Sequence, residues 1–136
     1  MFTVSRKTKY ALVAMVDLAE RYGRGLMQIR EIAGSRKIPK TYLEQIFNRL
    51  GKHGIVKSTR GNQGGYQLAI DPGELTVGEV VEALEGEIRI GGDDDPLVLK
   101  KLYAKIEEEI RSAFEVTVAE LAAQQRLLEQ QPMFHI

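Results

Sequence analysis

The chain has 136 residues, the length of one ordinary domain, and no cysteine, which excludes disulfides, thiolate nucleophiles, cysteine-ligated zinc and cysteine-bound iron-sulfur clusters. The net charge of +0 conceals two opposed halves: residues 1–70 hold 13 Lys or Arg against 4 Asp or Glu, a net of +9, and residues 71–136 hold 6 against 15, a net of −9. The first half can face a polyanion and the second cannot. The longest apolar run, residues 10–16, is far too short for a membrane span and no signal-peptide pattern opens the chain, so a cytoplasmic protein is expected.

Ser5 is placed to cap a helix running to about Tyr22, where Gly23 and Gly25 end it. Its segment YALVAMVDLA is apolar on nearly every side, which puts this helix at the centre of the core. A short second helix follows, with Ile29, Ile32 and Ala33 at helical spacing, and SRKIP breaks it. Pro39 suits the first turn of a third helix, in which Leu43, Ile46, Phe47 and Leu50 form an inward stripe. The opposite face carries Lys40, Thr41, Glu44, Gln45, Asn48, Arg49 and Lys52, mainly basic and hydrogen-bonding side chains on one rigid rod, before Gly51 and Gly54 close the helix.

Two short segments rich in β-branched and aromatic residues, IVKST and YQLAI, flank the loop RGNQGG and read as a β-hairpin. A phosphate-cradling loop leads from a strand into a helix N-terminus; this one leads into a second strand. The acidic half opens with the turn DPGEL, then a helix with the capping box Thr76 to Glu79 and the stripe Val77, Val80, Val81, Leu84. After the loop GEIRIGGDDDP, Pro96 opens a long helix to about Glu115, with Leu99, Leu102, Ile106, Ile110 and Ala113 spaced by threes and fours. A second capping box, Thr117 to Glu120, starts a last helix that fades near Gln131.

Three helices followed by a hairpin is the order of a winged helix-turn-helix, in which the third helix enters the DNA major groove and the wing meets the backbone or minor groove. The expected fold is therefore mainly α with a small β-hairpin wing. Residues 1–75 form the DNA-binding part and residues 76–136 a helical dimerisation region with a tail. Glycines let the wing turn sharply and approach the sugar-phosphate surface, with Arg60 at its base and Asn62 and Gln63 in the loop. Taken singly, a basic helix face is a solvated surface and a glycine-rich hairpin only a hairpin; their succession within a +9 half-chain points to double-stranded DNA. The stripe Leu102, Ile106 and Ile110 can pack on the chain's own core or on a second subunit. Because the winged unit is complete by Ile70, a homodimer presenting two third helices to a palindromic operator is the expected cover. An enzyme is not expected: His53 sits at a helix end and His135 in the tail, with no motif placing a nucleophile or carboxylate beside them. Asp93, Asp94 and Asp95 read either as chelators of a hard cation or as solvated acids, and no cofactor or metal is expected.

SRKTKYALVAM and KTYLEQIFNRLGKHGIVKSTRGNQGGYQLA resemble the family of bacterial winged-helix regulators that includes IscR, NsrR and CymR. The resemblance covers essentially the whole chain, and YLEQ at 42–45 and RGNQGGY at 60–66 are its most specific pieces. It implies a homodimer with a long helix crossing between subunits, controlling genes of iron-sulfur, nitrosative or sulfur metabolism. Thr41, Tyr42, Glu44 and Gln45 match the groove-reading start of the recognition helix, Arg60 matches the wing arginine, and Lys7, Lys9 and Tyr10 match a basic opening near the phosphates. Glu44 repels DNA, so the resemblance implies that it chooses cytosine or rejects other sites.

Cluster-binding members carry three cysteines in the loop where this chain has GEIRIGGDDDP, so the cysteine-free branch of cysteine metabolism repressors is the better match. That branch implies repression of sulfur or cysteine metabolism genes, with cysteine synthase as a partner. Pro132 breaks the last helix ahead of MFHI. Phe134 and Ile136 then either fold back on the helices or engage cysteine synthase, the isoleucine and its carboxylate entering the enzyme's active site. An alternative function is an interaction module regulating such an enzyme, with DNA binding secondary.

Overall fold

The computed structural model describes residues 3–131. The Ser5 hydroxyl accepts the Thr8 backbone N–H at 3.3 Å and starts α1 (Arg6–Glu20), which ends two residues before Tyr22. Arg21 caps it, and Gly23 and Gly25 follow at positive φ. α2 (Ile29–Arg36) begins at Gln28, whose backbone N–H donates to Glu31 Oε1 at 3.2 Å. It ends where Lys37 adopts a left-handed conformation with φ 57°. α3 (Lys40–Lys52) starts after Pro39, whose missing N–H costs nothing at a helix N-terminus, and it runs through Gly51 to the turn at Gly54.

β1 (Val56–Thr59) and β2 (Gly65–Leu68) pair antiparallel, from Val56 opposite Leu68 to Thr59 opposite Gly65. A third segment, which no local pattern marks, contributes to this wing. Met27, just before α2, exchanges both backbone hydrogen bonds with Tyr66, at 2.9 and 2.7 Å. α4 (Val77–Glu85), α5 (Leu97–Ala113) and α6 (Val118–Glu129) complete the chain. Both expected capping boxes form, Thr76 with Glu79 and Thr117 with Glu120. The two helix starts are stitched together: Val77 N–H donates to Val116 O at 2.9 Å and Val118 N–H to Leu75 O at 2.8 Å.

α1 lies at the centre, as its apolar composition requires, and packs against α3, α4, α6 and β2. Ala11, Ala14, Met15 and Leu18 are buried with Leu43, Ile46, Phe47 and Leu50 of α3. The core runs on across residue 75, because Leu75, Val80, Ala83 and Val118 join the same cluster. The change of charge at the middle of the chain is thus not a break in packing. α5 differs: none of its residues is buried in the single chain, and Leu97, Val98 and Leu102 are 69%, 73% and 49% exposed. The loop before it is tied to its second half, Ile90 N–H donating to Glu107 Oε1 at 2.6 Å and Arg111 Nη2 to the Ile88 carbonyl at 2.8 Å. No helix among the described residues is long and apolar enough to cross a membrane.

Candidate nucleic-acid interface

The inward stripe of α3 decides which of its side chains face outward. With Leu43, Ile46, Phe47 and Leu50 buried, Lys40, Thr41, Tyr42, Glu44, Gln45 and Asn48 are all exposed. Lys40 Nζ lies 4.0 Å from Glu44 Oε1 on the next turn, a solvent-screened pair that keeps the carboxylate beside a cation. Tyr42 meets Tyr10 of α1 edge to face, ring centroids 5.8 Å apart and planes at 85°, so the start of α3 is fixed against α1. Lys9 is exposed and Lys7 partly so, one on each side of the buried Thr8.

The wing is held by its own geometry. Gly61 has φ 113°, and the Gly64 N–H donates to the Gly61 carbonyl at 2.9 Å, closing the loop so that Arg60, Asn62 and Gln63 stand exposed. Tyr66 of β2 stacks on Phe47 of α3 at 4.6 Å, which joins wing and third helix. Between them runs a groove lined by Phe47, Asn48, Gly51, Lys52, Val56, Lys57, Ser58 and Tyr66. Lys57 is the residue that the sequence reading passed over; on an isolated strand its charge carries no signal, and only the fold sets it across a groove from Lys52.

Arg49 stands apart from the other expected contacts. Arg49 is exposed like its neighbours, but its Nε donates to the Ala83 carbonyl of α4 at 2.8 Å, so the side chain is tied to α4 rather than free at the surface. Nearby, Glu85 Oε2 accepts the Ser5 backbone N–H at 2.6 Å and the Thr8 hydroxyl at 2.8 Å, across 80 and 77 residues of chain. Burial raises the pKa of this carboxyl, but those hydrogen bonds outweigh it and hold the group below the ordinary glutamate value.

Leu102 is exposed, and Ile106 and Ile110 are half-buried on α5. Phe134 and Ile136 lie outside the described residues. Asp93 pairs with Arg89 at 3.4 Å and Asp95 Oδ2 accepts the Gly92 N–H at 2.7 Å. Among the described residues, no three His, Asp or Glu converge on a point where a metal could sit.

Comparison with known proteins identifies the family of the chain. Residues 4–124 match the family Rrf2, described as an iron-dependent transcriptional regulator. The HTH-type transcriptional regulator CymR of Bacillus subtilis (strain 168) is 33% identical over 137 residues, covering 98% of this chain and 99% of that protein. IscR of Sodalis glossinidius, also an HTH-type transcriptional regulator, is 33% identical over 93% of this chain and 82% of its own length. The structure of CymR, the global cysteine regulator of B. subtilis, superposes with a TM-score of 0.83 at 31% identity, covering 91% of this chain and 98% of that one. These relatives are regulators rather than enzymes, and the chain belongs to the Rrf2 family of transcriptional regulators.

Proposed function

We propose that the protein is a cytoplasmic, homodimeric, sequence-specific DNA-binding repressor of sulfur or cysteine metabolism genes. The observation that carries this reading is the pairing of the exposed polar face of α3 with a wing stacked onto the same helix through Phe47 and Tyr66. Thr41, Tyr42, Glu44 and Gln45 read base edges, Lys40, Lys7, Lys9 and Tyr10 meet phosphates, and Arg60, Asn62 and Gln63 reach the backbone or minor groove.

Residues 76–136 supply dimerisation, and α5 supports this by its charge order. Lys100, Lys101 and Lys105 precede Glu107, Glu108 and Glu109, so a second copy laid antiparallel sets each basic half against an acidic half. Leu102, Ile106 and Ile110 then gain the cover that they lack in the single chain. A palindromic operator matches such a dimer.

The likeness to a protein titled a global cysteine regulator supports the choice of genes. Cysteine synthase as a partner, engaged through Phe134 and Ile136, belongs to the same reading. The chain has no cysteine to hold an iron-sulfur cluster of the kind that thiolates ligate. The loop of residues 86–96 offers no thiol, and two of its three aspartates are engaged by Arg89 and the Gly92 N–H. Recovery and sequencing of genomic DNA retained by the tagged protein tests the proposal. A palindrome upstream of sulfur-assimilation genes is expected; retention without sequence enrichment overturns it.

A further inference from the structure

The last turn of α4 touches both helices whose side chains are assigned to DNA, and two charged residues fasten it in opposite senses. A helix C-terminus exposes carbonyls with a partial negative charge. Here one of them, Ala83 O, is capped by the guanidinium of Arg49 from α3 at 2.8 Å. A helix N-terminus exposes N–H groups with a partial positive charge. Glu85 of the same α4 turn accepts from Ser5 N–H at 2.6 Å and from the buried Thr8 hydroxyl at 2.8 Å, at the start of α1. One short turn is thus clamped to the recognition helix by a cation and to the basic opening of α1 by an anion. Gly86, at φ 88°, then leads the chain away into the loop that is bonded to α5.

We infer that Arg49 and Glu85 are positioning residues for DNA recognition, holding Thr41, Tyr42, Glu44 and Gln45 of α3 and Lys7 and Lys9 of α1 at one fixed separation through the last turn of α4. Arg49 therefore acts through Ala83 and not through a phosphate. This rests on the DNA-facing assignment made above for α3 and α1, and adds how that surface is kept in register. Loss of either clamp leaves each helix intact and leaves Tyr10 against Tyr42 as the contact near the groove, so the two helices can pivot about that pair, which weakens a complex needing both sets of contacts at once.

The chemistry of three substitutions at Arg49 separates the alternatives. Gln places an amide nitrogen near the position of the arginine Nε without charge; Lys keeps the charge but not that nitrogen; Ala keeps neither. The measurement is fluorescence-anisotropy titration of the genomic duplex that the parent retains most tightly, over a range of salt, with thermal unfolding of each variant alongside. R49A and R49K are expected to bind about tenfold more weakly, with the parent's salt slope, and R49Q to recover most of the loss. E85A is expected to weaken binding to a similar degree although the substitution removes a negative charge, a direction that simple repulsion from DNA does not give. If R49K instead binds as the parent does and R49Q falls with R49A, with a slope shallower by about 0.9, Arg49 is a phosphate contact and the inference is overturned. Should R49A fail to fold, the contrast between R49Q and R49K still decides. Q45A and R60A run beside them: parental binding by both would overturn the DNA-facing assignment itself, and the positioning role with it.

Discussion

Tyr66 of the wing and Phe47 of the third helix stack with ring centroids 4.6 Å apart and planes 22° apart. Phe47 is buried while Tyr66 is half-buried and also exchanges backbone hydrogen bonds with Met27, so one aromatic pair sets the wing relative to α3. F47A should destabilise the fold by about 3–5 kcal/mol. Y66A should cost less, about 1–2 kcal/mol, yet weaken DNA binding by loosening the wing. Urea unfolding beside a binding titration checks both, and a Y66A variant with parental affinity would show that the wing is set by its backbone pairing alone.

The glycines of the wing differ in what they do. A Cβ on Gly65 would lie 2.6 Å from the Met27 carbonyl oxygen, and one on Gly64 would meet the Thr59 carbonyl still more closely. G64A and G65A should therefore each destabilise the hairpin by more than about 1 kcal/mol. Gly61 faces open space, and its requirement is its φ of 113°. Hydrogen exchange at the Tyr66 amide reports the loosening; protection unchanged in G65A would contradict the close approach.

Glu85 gives a pH dependence with a fixed sign. Its folded-state pKa is lowered, so its contribution is complete above the unfolded glutamate value of about 4.3 and is lost as pH falls through the lower folded value. Chemical unfolding of the parent and E85Q should differ most at neutral pH and converge in acid. A gap of constant size from pH 7 down to pH 3 would remove Glu85 from the account.

α5 predicts both a dimer and its orientation. A carboxylate placed at Ile106 or Ile110 would be buried without a partner, at a cost of several kcal/mol, and should yield monomers in sedimentation. Changing Lys100, Lys101 and Lys105 together to Glu should also weaken the dimer, and adding Lys at Glu108 and Glu109, which leaves the Glu107 bond to Ile90 in place, should restore much of it, since antiparallel pairing matches the two sets. Failure of that rescue would rule out the antiparallel arrangement.

Much of this was legible in the sequence because periodicity and capping are local. The stripe from Leu43 to Leu50, both capping boxes and the hairpin around RGNQGG follow from spacing and residue type, and the structure has them. What escaped depends on distant segments. Met27 joins the wing, Glu85 reaches Ser5 and Thr8, and Arg49 turns to Ala83 across 34 residues, none of which a local pattern encodes. Arg49 lies on the polar face of α3, where it reads as a DNA contact, and the placement of α4 adds a carbonyl that its Nε also reaches.

In the proposed function the outer face of α3 reads a defined DNA sequence while the wing and basic residues grip its backbone. Anisotropy titrations of the preferred duplex and of single-base variants, repeated from low to high salt, test it most directly for the parent, Q45A, E44A and R60A. The logarithm of the parental affinity should fall linearly with the logarithm of salt, with a slope shallower by about 0.9 for R60A. Q45A and E44A should lose discrimination between duplexes at an unchanged slope. Binding by all three variants with the parent's affinity, slope and sequence ranking would contradict the proposed function.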